Sequence, residues 1–72
     1  MRRKGRVVFE DLGAGVWLLD AEDGQRYELV GGDSGLYLQG QRVEVHGRLD
    51  LTAMSFGMAA PALKVERYTA LD

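Results

Sequence analysis

Cysteine is absent from all 72 residues, so no disulfide framework staples the fold, and thiol chemistry and zinc–thiolate sites are excluded. Proline occurs once, as Pro61, and histidine once, as His46. The only serines, Ser34 and Ser55, fall in separate connections. A nucleophilic triad needs a nucleophile beside a base that is itself oriented by an acid, and nothing local supplies that set. His46, between Val45 and Gly47 and flanked by Glu44 and Arg48, reads as an outward strand residue. No catalytic residue, metal ligand or cofactor site is therefore expected, and the chain is read as non-enzymatic.

Long apolar runs are also missing. Val7, Val8 and Phe9 are cut off by Glu10 and Asp11, well short of the roughly 7 to 15 apolar residues of a secretory core, and no segment approaches a membrane span. Cytoplasm is the default location, with a removed leader left open, and no membrane partner is expected. "DAED", Asp20 to Asp23, lacks the spaced oxygen ligands of a calcium loop. "GAG" and "GGDSG" lack the lysine and the long helix of a phosphate cradle.

What is present is alternation. "GRVVFEDL" (Gly5 to Leu12) is rich in β-branched and aromatic residues and ends at the glycines of "GAG". "VWLLD" and "RYELV" flank Asp23-Gly24, a strong hairpin signal. The period of two places Trp17, Leu19, Tyr27 and Leu29 inward as core neighbours. Val16, Leu18, Arg26, Glu28 and Val30 then lie on the opposite, half-apolar face. "SGLYLQG" is long enough for one helical turn, capped by Asp33 or Ser34 and ended by Gly40. "QRVEVHGRLDL" alternates with Val43 and Val45 inward, and Gly47 marks a bend or bulge. "ALKVERYTAL" alternates through Leu63 and Val65, and Arg67 breaks the inward parity, which predicts a bulge or the strand's end.

Three strands, a short helical turn and two more strands make the order of an all-β, five-stranded Greek-key barrel of the OB type. Closure gathers Val7 or Phe9, Trp17, Leu19, Tyr27, Leu29, Leu36, Val43, Val45 and Val65 into one core. The domain is read as residues 5–72, preceded by a basic N-terminal arm, residues 1–4. Gly5, the pattern from Trp17 through Asp23-Gly24 to Tyr27 and Leu29, the glycines and valines from Gly40 to Gly47, and Val65 on the last strand carry a resemblance. The chain is similar to small bacterial OB-fold-like domains of uncharacterised function. That resemblance implies a barrel and assigns no chemistry.

Charge is unevenly placed. Arg2, Arg3, Lys4 and Arg6 hold four of nine basic residues, so residues 7–72 carry five basic against eleven acidic groups. An acidic body disfavours nucleic acid unless the arm or a locally segregated patch holds it. The stretch from Leu51 to Leu63 has no charge at all. Met54, Phe56 and Met58 recur at every second position there, as a core plug or as a surface for a partner. With Val16 and Leu18 they form a candidate apolar patch beside Arg26, and a second copy of the chain is the simplest partner. The expectation is a non-catalytic binding or interaction module of unknown ligand that self-associates. The alternative is a single-stranded nucleic-acid binder using Arg2, Arg3, Lys4 and Arg6, with Tyr37, Phe56 and Tyr68 as stacking residues.

Overall fold

The computed structural model describes residues 1–11, 15–50 and 60–71. Five strands form a closed barrel: β1 (Arg2–Asp11), β2 (Gly15–Ala21), β3 (Arg26–Val30), β4 (Arg42–Asp50) and β5 (Ala62–Ala70). A single 3-10 turn, Ser34–Leu36, lies between β3 and β4. Around the barrel the order is β1-β2-β3-β5-β4, and β1 pairs with β4 to close it. Only the β3–β5 pairing is parallel. This is the OB-like barrel that the alternation and the turn signals predict. No helix among the described residues is long and apolar enough to cross a membrane.

The hairpin between β2 and β3 turns where Asp23-Gly24 stands. Gly24 takes φ of 86°, and the Asp23 carboxylate accepts from the Gln25 amide at 2.8 Å. The 3-10 turn is capped as expected by Asp33, whose Oδ1 accepts from the Gly35 amide at 2.9 Å. Its work is to insert Leu36, fully buried, into the barrel. The Gln41 side-chain amide donates to the carbonyls of Gly35 and Leu36, closing the far end of the turn.

The bulge falls where parity breaks. His46 pairs with Arg67 and Gly47 with Val65, so Glu66 is the extra residue. Val65 and Tyr68 therefore both contact the core while Glu66 and Arg67 both face solvent. Gly47 is required at this crossing, because a Cβ there would lie 2.1 Å from the Lys64 carbonyl oxygen.

The core comprises Val7, Leu19, Ala21, Tyr27, Leu29, Leu36, Val43, Val45, Leu63 and Val65. Val7 rather than Phe9 supplies the β1 contribution; Phe9 is exposed. Trp17 departs from the expected full burial. It pairs with Phe9, near the end of β2, and is only half-buried against the core, while Leu19 takes the position opposite Tyr27. The β1–β4 pairing ends at Arg6 and Arg42, before this point, and the rings packed on the indole are those of Phe9 and Tyr37.

Val16 and Leu18 require a correction. Both were expected outward and available to a partner, yet they are 5% and 0% exposed. They are indeed outside the central core, so the parity holds. Parity assigns a side chain to one side of the sheet, however, and does not decide whether that side meets water. Met54, Phe56 and Met58 lie outside the described residues.

A second difference concerns the N-terminus. Residues 2–4, read as an arm, are the start of β1. Arg2, Arg3 and Lys4 pair with His46, Val45 and Glu44 of β4, and the terminal amine donates to the Gly47 carbonyl at 2.6 Å. The open edge of β4 is a better place for this backbone than solvent, despite its charged side chains.

Candidate functional site

Two surfaces are candidates for a functional site, one at a barrel end and one on the barrel wall. The first is an aromatic rim. Phe9 on β1 and Trp17 on β2 are register partners with ring centroids 4.9 Å apart, and Tyr37, just after the 3-10 turn, meets the Trp17 ring edge-on at 5.6 Å. The arrangement is held by the backbone. β1 leaves β4 after the Arg6–Arg42 pair, and the loop before β4 takes over its free edge. There the Val7 amide donates to the Gln41 carbonyl, the Gly40 amide to the Val7 carbonyl, and the Phe9 amide to the Gln39 side chain at 2.6 Å. The Tyr37 hydroxyl donates to the Gly31 carbonyl. Burial raises the Tyr37 phenol above its ordinary value of 10.0, because the phenolate is poorly solvated there. Phe9 remains 41% exposed and Leu38 56% exposed, so the rim presents fixed apolar surface to solvent.

The second surface is the outward face of β2 and β3. Arg26, expected here as a partner contact, is engaged by acids: its Nη1 lies 2.5 Å from Glu10 and its Nε 3.9 Å from Asp20. Glu28 stands on the same face between Leu18 and Ala62, and its Oε1 is buried with no hydrogen-bond partner. A face with a neutralised cation and an unpaired carboxylate repels phosphate. Oligonucleotide binding in the usual OB position, across β2 and β3, has no electrostatic support here.

The four basic residues singled out in sequence are separated by the barrel wall. Arg2, Lys4 and Arg6 are exposed on the outer side of β1. Arg3 has the inward parity and folds over the barrel end, where its Nε donates to the Tyr27 hydroxyl at 3.0 Å and sits 3.1 Å from Asp23. The hydrogen bond to Tyr27 is the main cause that holds the guanidinium pKa above its ordinary value. Arg6 donates to the Gly40 carbonyl. His46 lies 3.1 Å from Glu44, on the solvent side of β4, in keeping with its reading as an outward strand residue.

Sequence reasoning did not find Phe9, Leu38 and Gln39. The register of β1 against β2 contained the signal, since it sets Phe9 beside Trp17 at the barrel end.

The comparisons with known proteins add one assignment. The matching family profile, described as "Protein of unknown function (DUF5818)", spans residues 4–71. The chain belongs to the DUF5818 family. No curated protein and no solved structure matches it. The family match takes in β1 from Lys4 onward and all of β2 to β5, so the rim falls within the DUF5818 region.

Proposed function

We propose that this DUF5818 chain is a non-catalytic OB-fold interaction module that holds a protein partner against its aromatic rim, a second copy being the simplest partner. The strand order, with a helical turn between β3 and β4, supports the OB-fold reading. The observation that carries the binding site is the exposure of Phe9 and Leu38 around the half-buried rings of Trp17 and Tyr37. Aromatic anchors whose geometry is already fixed lose little freedom on association, which is why they dominate interface energetics.

The site differs from the patch first expected, since Val16 and Leu18 are buried. The test is the mass in solution of the parent chain and of a Phe9→Ser/Leu38→Ser variant, measured by light scattering over a concentration series. The parent is expected to exceed the 8.0 kDa of one chain, and the variant to return to it with its fold retained. A parent that stays at one chain's mass throughout excludes self-association at the rim.

A further inference from the structure

Barrel closure assembles a basic face that no single stretch of the sequence contains. Across β1, β4 and β5 the register sets Arg2 beside His46 and His46 beside Arg67. Lys4, Glu44 and Thr69 form the next row, Arg6 faces Arg42, and Arg48 faces Lys64. Seven of the nine basic residues stand on this face, with Glu44, Asp50 and Glu66 of the eleven acidic ones. The patch therefore carries a net charge of plus four, and the rest of the chain, two basic against eight acidic groups, minus six; together these give the overall minus two. Asp50 lies at the far end of the β4 row, and Asp20 on β2, opposite Arg6, and Glu22, beside Arg42, adjoin the patch at its other edge.

The cations are weakly neutralised. Arg2 lies 3.8 Å from Glu44, Arg42 3.8 Å from Glu22 and Arg48 3.3 Å from Glu66, all as exposed pairs that contribute little in water. Lys4, Lys64 and Arg67 have no ion-pair partner among the described residues. Two of the cross-strand pairs, Arg6 with Arg42 and Arg48 with Lys64, set like charges directly opposite; Arg6 has Asp20 on its other side, so the cost in a free sheet falls chiefly on Arg48 and Lys64. A surface with no ligand gains nothing from such pairs, whereas an anionic polymer lying across them removes the repulsion.

We infer that the outer face of β1, β4 and β5 is a binding site for single-stranded nucleic acid, contacted through its phosphate backbone and without sequence preference. Three features select this occupant. Five of the seven cations are arginines, whose planar forks match phosphate oxygens. Neighbouring rows are about 4.8 Å apart across strands and about 7 Å apart along them, a lattice that a phosphate chain can follow, and a flexible single strand can bend with the barrel wall where a stiff duplex cannot. Apart from the imidazole of His46, the outward positions in these rows hold no aromatic side chain to stack a base, and they hold no apolar one to enter a bilayer. The acidic remainder keeps the strand on this side of the molecule. This site is separate from the aromatic rim and does not depend on it.

The test is fluorescence anisotropy with a fluorescein-labelled, mixed-sequence single-stranded oligonucleotide of about 20 residues. Between about 50 and 200 mM salt the affinity is expected to fall about a hundredfold, as for some five phosphates neutralised. Lys64→Gln/Arg67→Gln is expected to weaken binding at least about tenfold at the lower salt and to flatten the salt slope by about 1.4. Circular dichroism checks that this variant is folded, and Lys4→Gln, on a different strand, must weaken binding too. Phe9→Ser/Leu38→Ser, as a single chain, must still bind the oligonucleotide in a salt-dependent way, which separates failure of this site from failure of the rim. Absence of binding at the lower salt overturns the proposal, as does parent-like affinity in the folded double variant. Preferential capture by phosphatidylserine vesicles, with the oligonucleotide unbound, reassigns the face to a membrane and overturns it equally.

Discussion

Arg3 and Tyr27 are joined across the end of the barrel, from the guanidinium Nε to the phenol oxygen at 3.0 Å, although they stand 24 residues apart. The Tyr27 hydroxyl in turn donates to the Asp23 carboxylate at 3.2 Å, so one chain of contacts links the beginning of β1 to the β2–β3 turn. The guanidinium also lies over the Tyr27 ring, 5.8 Å from its centroid. Tyr27→Phe and Arg3→Gln should each lower the melting temperature, and the double variant should fall by less than the sum of the two. Strictly additive losses would show that the two side chains are not coupled.

Leu18 is fully buried on the outer side of β2, and it belongs to the protein's own stability rather than to a contact with a partner. Leu18→Ala should cost about 2 to 5 kcal/mol, measured by urea denaturation. For a domain of this size such a loss approaches the whole stability. A variant with parent stability and altered mass in solution would return Leu18 to the surface.

Tyr37 gives a pH dependence. Its folded pKa is raised by burial, so the stability associated with the neutral phenol is fully present below about pH 10, the unfolded value, and is lost as pH rises through the folded one. Melting temperatures taken from pH 9 to 11.5, about one unit or more either side of that value, should fall more steeply for the parent than for Tyr37→Phe. Parallel curves would separate Tyr37 from the alkaline loss.

Much of the barrel was legible because its signals are local. The Asp23-Gly24 turn, the alternation around Val43 and Val45, and the parity break before Arg67 each depend on neighbours within a few residues, and the structure places a turn, a strand and a bulge there. The rest needed the register between distant strands. Arg2 to Lys4 read as a solvated arm because their charges are visible in sequence, whereas the β4 edge that recruits their backbone lies some forty residues away. Val16 and Leu18 had the correct side and the wrong surroundings. The rim and the basic face were hidden for the same reason, since Tyr37 reaches Trp17, and Arg67 reaches His46, only once the barrel has closed.

The closing of the barrel also sets a rate. The β1–β2 and β2–β3 pairings join neighbours in the chain, but β1 must find β4 across the span from Arg2 to His46, and β3 must find β5 in parallel from Glu28 to Ala62. The entropy of bringing those segments together is lost before their hydrogen bonds return anything. Refolding from denaturant should therefore take milliseconds to seconds, the range of about 10⁻³ to 1 s common to non-local β folds, with the β2–β3 hairpin forming early and the Arg2–His46 junction among the last contacts made.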